Sequence, residues 1–351
     1  MTTIHNLRSD RNQPTFVAQV PSNIAFLKYW GKSDETLQWP ANDSLSMTLS
    51  KARTITKALN SARDKDRVFV HGNYQDPHGG PFAKSYRHLE QLRKLTGYKS
   101  FLDLFTENTF PSACGIASSA SGMGALTLAA LAAWTGASSL EELAQAGFDR
   151  SRLAHLSRLG SGSAGRSFWG GFVVWEKGLT PDRQHLYPLT TTKPLVLADL
   201  IAIVSREPKG VSSSEGHRRA WSSPLFAPRL AIHPQRMKEM RQALQTGDLE
   251  KAGELMETEA LEMHAVMMTA QNPANYLTTA STQLITWIRQ ERVRGNLPAW
   301  FTIDAGPNIH ILCAAQDRDS VHHALLTRYE SPSPVDFLVD ETGQGPYITV
   351  E

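Results

Sequence analysis

Two cysteines in 351 residues leave no material for a disulfide framework. Cys114 and Cys313 stand far apart, in no metal-ligand spacing, which fits a reducing compartment. The twelve histidines contain no H-E-x-x-H pair, so no metal held by protein nitrogen is expected. A dominant charge is missing as well: 36 Lys and Arg oppose 34 Asp and Glu, a net +2. The charges lie without long blocks, so the chain lacks the electrostatic footprint of a nucleic-acid binder. The longest apolar run, residues 125–134, is too short to span a bilayer, and residues 1–8 carry no stretch of signal-peptide type. Together these absences predict a soluble cytoplasmic protein with no nucleic-acid or membrane partner, acting on a small anionic ligand.

What is present argues for two lobes. A chain of this length exceeds one small core, and the usual span of ~100–200 residues per domain predicts lobes at 1–195 and 196–351. Strand patterns fall at 15–20, 45–49, 67–71, 101–105, 172–175 and 195–204, then at 301–304 and 309–313. Helical spacing joins Phe82, Tyr86, Leu89, Leu92 and Leu95, and recurs at 125–134, 151–159, 234–245, 249–268 and 281–291. Strands and helices run in separate groups, which favours an α+β fold over a doubly wound parallel sheet. Residues 21–32 follow neither period, as site-forming segments often do, and residues 221–228 read as a loop.

Residues 110–122 form a small-residue loop that runs into the helix at 125. Gly115 and Gly122 allow close backbone approach, and Ser118, Ser119 and Ser121 add hydroxyl donors. Together with Ile116, Ala117 and Ala120 they read as a polyphosphate cradle at a helix start, implying a nucleotide. A Walker loop is excluded because no lysine follows the glycines; the plainer reading is an Ala/Ser helix packed through small side chains. Gly160–Gly165 matches G-x-G-x-x-G, but a helix precedes it and a strand follows, the reverse of a dinucleotide-binding unit. It reads instead as a second anion-sized turn, with Ser161, Gly162 and Ser163 ahead of Arg166, whose planar fork suits a carboxylate or phosphate; the alternative is an arginine bracing a turn.

Asp304 ends an apolar strand before a Gly-Pro turn, a place for a catalytic base or for an Asx turn. Lys28, Tyr29 and Lys32 offer two cations and a phenol to a phosphorylated ligand, unless they are merely solvated. Residues 211–216, with Ser213 and preceded by Lys209, make a third serine-rich turn, cradle or connector. His264 reads as a packing residue.

In this order, Asn23-Ile24-Ala25, Lys28 to Lys32, Asn42 to Ser46, Pro111 to Gly122, Ser161-Gly162-Ser163, Arg166-Ser167, Gly170-Gly171 and Asp304 to Asn308 resemble the diphosphomevalonate decarboxylases. Met263-His264-Ala265 is similar to a C-lobe helix of the same family, which belongs to the GHMP kinase superfamily. The resemblance implies a two-lobed α+β GHMP kinase-type fold with the active site between the lobes, and a homodimer. It also implies ATP with Mg2+, the metal travelling on the nucleotide, and a phosphorylated mevalonate substrate converted to isopentenyl diphosphate, ADP, phosphate and CO2.

Under that resemblance Asp304 is the base at the C3 hydroxyl, Arg166 holds the substrate carboxylate and Lys28 neutralises charge at the transferred phosphoryl group. Tyr29, Lys32, Ser161, Gly162, Ser163 and Ser213 hold the 5-diphosphate, and residues 115–121 hold the ATP phosphates. Two positions depart from the pattern. Relatives often carry a Gly-Met pair where this chain has Gly216-His217, and Asn42-Asp43 replaces a usual Asn-Ser, adding a negative charge near an anionic site. The alternatives are a decarboxylase of mevalonate 5-phosphate or 3,5-bisphosphate, a mevalonate 3-kinase-like enzyme that stops at phosphorylation, and an idle nucleotide-binding scaffold. Asp304 together with Arg166 argues against the kinase, and the presence of both the carboxylate and the phosphate loop argues against the idle scaffold.

Overall fold

The computed structural model describes residues 13–80, 82–111, 118–207, 210–329 and 335–351. Two long antiparallel strands, Phe16–Leu27 and Ser44–Asn60, form its spine. Residues 21–27, which follow no period in the sequence, continue the first strand. They are buried on both faces, so no polar side alternates with an apolar one, and register shifts after Pro21 and Ala25 interrupt the pattern. Tyr347–Val350 and Leu102–Asn108 flank the pair, and Phe172–Glu176 joins the N-terminal end of Ser44–Asn60. Among the described residues, only Arg67–Val70, beside Leu102–Asn108, pairs in parallel in this sheet.

A second sheet is antiparallel throughout, in the order Trp300–Thr302, Ile309–Ala314, Leu197–Ile203, Asp336–Glu341. The architecture is therefore α+β. The two sheets are tied where the pairing of Ser44–Asn60 breaks: Asp340, on the edge of the second sheet, accepts the backbone N–H groups of Ser50, Lys51 and Ala52 at 2.7–2.9 Å. One carboxylate thus satisfies donors that the interrupted ladder leaves open. The final strand then crosses back to the first sheet.

Among the described residues the apolar helix spans Ser118–Thr135, so it already runs seven residues ahead of its hydrophobic pattern. Serine and glycine are poor helix formers, but burial against the two spine strands outweighs propensity. Gly124 is required there, since a Cβ would lie 2.8 Å from Val20. The helix Phe226–Thr246 likewise overrides a loop-like sequence. Pro228 falls in its first turn, where an N–H has no helical partner, and Pro234 is carried by the buried Phe226, Met237 and Met240. No described helix is long and apolar enough to cross a membrane.

Candidate active site

A cavity of about 820 Å³ opens where the spine strands end, and residues from both halves of the chain line it. Among the described residues its walls carry Lys28, Lys32, Lys84, Arg87 and Arg166 against Glu35 and Asp304, and seven serines add hydroxyls. Such a lining suits a polyanion. The first two serine segments meet across it: Ser161 Oγ lies 3.4 Å from Ser119 Oγ.

Lys28, just past the strand Phe16–Leu27, and Asp304, just past Trp300–Thr302, converge from opposite halves; Nζ donates to Oδ1 at 2.6 Å and to the Ala25 carbonyl at 2.8 Å. Burial pushes the Lys28 ammonium down, with the Asp304 carboxylate opposing. Burial alone would raise the Asp304 pKa, but the Lys28 charge and hydrogen bond outweigh it and leave the carboxyl below its ordinary value. A proton acceptor in its basic form thus lies beside a cation, in a partly desolvated site.

Lys28 is held by its backbone. Its N–H donates to Glu259 Oε1 at 3.1 Å, and its carbonyl accepts from Arg229 Nη2 at 3.1 Å. Glu259, fully buried, also accepts from Arg229 and from Arg236, the latter at 2.6 Å.

Arg166 sits in a 3-10 helix, Gly162–Phe168, rather than in an open turn. It is 3% exposed, and burial lowers its pKa to about 10. Asn23 and Ser44 fix two of its nitrogens, at 3.1 and 2.8 Å, while Asn23 in turn donates to Ser167 Oγ at 2.8 Å. The guanidinium is aimed before any ligand arrives, which limits the entropy lost on binding.

Tyr29, Lys32, Ser161, Gly162, Ser163 and Ser213 all line the cavity. Gly162 is there for closeness: a Cβ would fall 2.5 Å from the Tyr29 ring and hydroxyl. Gly162→Ala therefore displaces Tyr29 and raises the substrate KM about tenfold, read by steady-state kinetics; an unchanged KM would remove Tyr29 from substrate binding. Residues 213–219 form a helix capped by Ser212, in place of a third turn.

Not every expected residue reaches the cavity. Ser118 and Ser119 do, whereas Ala120 and Ser121 are buried, and Ser121 Oγ accepts from Thr54 at 2.8 Å. Helical periodicity turns them inward. Gly115, Ile116, Ala117 and Lys209 lie outside the described residues. Asp43 accepts the Lys177 backbone N–H at 2.8 Å and does not line the cavity, so its charge is spent on a strand end.

Lys84, Arg87, His88 and Gln91 line the site unforeseen, on the helix Ala83–Thr96. Their i, i+3, i+4, i+7 spacing opposite Tyr86, Leu89 and Leu92 was the available signal. Among the described residues no group of three or more His, Cys, Asp or Glu could hold a metal ion.

The family model of a diphosphomevalonate decarboxylase-like N-terminal domain matches residues 20–186, and that of a mevalonate 5-diphosphate decarboxylase C-terminal domain matches residues 199–347. The diphosphomevalonate decarboxylase of Candida albicans is 34% identical over 94% of this chain and 97% of its own. That of Danio rerio is 34% identical over 89% and 78%. Among solved structures, MDDEF in complex with MVAPP, AMPPCP and magnesium superposes with a TM-score of 0.84 at 29% identity, covering 97% of this chain and 99% of that one. The mevalonate diphosphate decarboxylase of Staphylococcus aureus gives 0.84 and 29%, over 97% and 98%.

Proposed function

The chain belongs to the diphosphomevalonate decarboxylase family, and from that premise we propose how its own residues carry the reaction. It is an ATP-dependent enzyme that converts (R)-5-diphosphomevalonate to isopentenyl diphosphate, ADP, phosphate and CO2. The observation that carries the residue assignment is the meeting of the Lys28–Asp304 pair with the buried Arg166 in one cationic, serine-lined cavity. We read this cavity, which both halves of the chain line, as the active site between lobes at 1–195 and 196–351, with the closing strand Tyr347–Val350 returned to the first sheet.

The lining fits a nucleoside triphosphate: Ser118 and Ser119 stand in the first turn of the helix Ser118–Thr135, whose positive dipole end attracts phosphate. Magnesium bound to the nucleotide phosphates needs no dedicated protein cage, and it supplies neutralisation of their charge. Asp304 takes the proton of the C3 hydroxyl as that oxygen attacks the terminal phosphorus and ADP departs. Lys28 stabilises the negative charge that gathers there. The 3-phosphate then leaves with its C–O electron pair. Arg166 holds the neighbouring carboxylate, so that the electrons of the breaking C–C bond form the alkene and CO2 is released. Tyr29, Lys32, Ser161, Gly162, Ser163 and Ser213 hold the 5-diphosphate.

Arg166→Ala lowers kcat/KM about 10²–10³-fold, with slower CO2 release at both low and saturating substrate; an unchanged rate at both would remove the clamp. The whole reading is tested by supplying magnesium-ATP with mevalonate, its 5-phosphate or its 5-diphosphate, and following ADP and CO2. Equal release of both, with the diphosphate alone, is expected. ADP without CO2 would make it a kinase, and coupled release from another phosphate would change the substrate. A cytoplasmic homodimer completes the proposal; sedimentation at the mass of one chain, 38.8 kDa, would remove the dimer.

A further inference from the structure

His217 stands apart from these roles yet belongs to the same cavity. It lies on the helix Ser213–Arg219 and is 6% exposed. Its ring packs at a tilt against Tyr29, centroids 4.4 Å apart, and against Trp30, at 4.6 Å. Its Nδ1 meets no hydrogen-bonding group of the protein. That atom is buried, and the hydroxyl of the adjoining Tyr29 is in the same condition. Two orphaned polar atoms on adjoining rings, both in residues lining an anion cavity, are costly unless a ligand completes them.

The surroundings set the protonation state. The charges of Lys32 and Arg166, on the cavity wall, and of Arg229, on the helix Phe226–Thr246, act on the ring. Tyr29, a neutral phenol, and Trp30 contribute no charge. Arg218 and Arg219 follow on the same helix, where Glu215 pairs with both. Burial first, then these cations, hold the free imidazole neutral. An incoming phosphate reverses that balance.

We propose that His217 is a substrate-binding residue that takes up a proton as the phosphorylated end of the substrate seats beside Tyr29, and donates Nδ1–H to a phosphate oxygen. The proton comes from solvent and returns to it when the product leaves. This rests on the reading that the cavity takes a phosphorylated mevalonate. Substrate binding is then linked to proton uptake: affinity falls as pH rises through the pKa of the bound imidazolium, since deprotonation leaves an acceptor facing an anion.

The test uses the intact enzyme, 5-diphosphomevalonate without ATP, and calorimetry in two buffers of different ionisation heat, with KM and kcat followed between about pH 6 and pH 9. Wild type should take up a proton on binding and show a KM that climbs with pH. His217→Phe keeps the ring contacts with Tyr29 and Trp30, and His217→Gln keeps a neutral polar side chain. Both should abolish the uptake, flatten the KM profile and raise KM at the acid end about tenfold, with a far smaller change in kcat. Thermal melting identifies a variant that fails to fold, and the other then decides. Buffer-independent binding heats in the wild type, or variants with an unaltered KM profile, overturn the role of His217 while the decarboxylase reading stands. A wild type that neither binds nor turns over the diphosphate overturns both.

Discussion

Asp304→Asn leaves ATP binding intact and lowers turnover about 10³-fold or more. A positioned base contributes roughly 10²–10⁴-fold, and here a second loss is coupled to the first. Lys28 is 2% exposed and burial already lowers its pKa; without the carboxylate that opposes this, the amine is driven toward its neutral form. The substitution thus removes the acceptor of the C3 hydroxyl proton and weakens the cation beside the transferred phosphoryl group. Asp304→Ala should be at least as severe, with no amide oxygen left for Lys28 Nζ. The check is release of ADP and CO2 at saturating substrates, beside ATP titration of the same sample. Turnover within tenfold of wild type would take the base role away from Asp304.

Glu259→Gln acts on stability, by about 3–5 kcal/mol, the range for breaking a buried charge pair from one side. Glu259 is fully buried and receives Arg229, Arg236 and the backbone N–H of Lys28. Burial would push its carboxyl up; Arg229, then His233 and Arg236, overcome this and hold it at about 2 rather than the ordinary 4.5. A depressed carboxyl stabilises the fold fully above its unfolded pKa, and that contribution, about 3 kcal/mol by linkage, disappears as pH falls from about 4.5 toward 2. Denaturant unfolding across that range should show the loss in wild type and its absence in Glu259→Gln. The variant's midpoint on heating should fall on the order of 10 °C at neutral pH. A variant as stable as wild type at neutral pH would show that the network's desolvation cancels its attraction.

Much of the cavity lining was legible in the chain, and residues reach it or miss it for different reasons. Asp304 and Arg166 could be singled out because a carboxylate after an apolar strand and an arginine after a glycine-serine segment are chemically unusual neighbours. Ser121 misled because it belongs to the same serine run as Ser118 and Ser119. Which of them meets the cavity depends on helical phase within Ser118–Thr135, which turns Ser121 inward. Asp43 misled in the opposite sense: its charge suggested repulsion, but the Lys177 backbone takes it up. Lys84 and Arg87 carried a periodic signal, yet periodicity marks an exposed face without saying what that face borders.

The sequence by itself determined the chemistry at hand: few thiols, balanced charge, serine and glycine turns for phosphate, one carboxylate and one arginine in telling places, and separate strand and helix runs that make an α+β fold. These properties are local, residing in residue types and spacings of a few positions. Only the tertiary structure decided which distant groups touch. Lys28 meets Asp304 across 276 positions, and Glu259 reaches the Lys28 backbone across 231. His217 is placed between Tyr29 and Trp30. Such contacts are set by sheet register and by burial of two packed faces, and it is burial that makes a lysine, an arginine and a histidine of ordinary sequence surroundings into a desolvated site with shifted protonation.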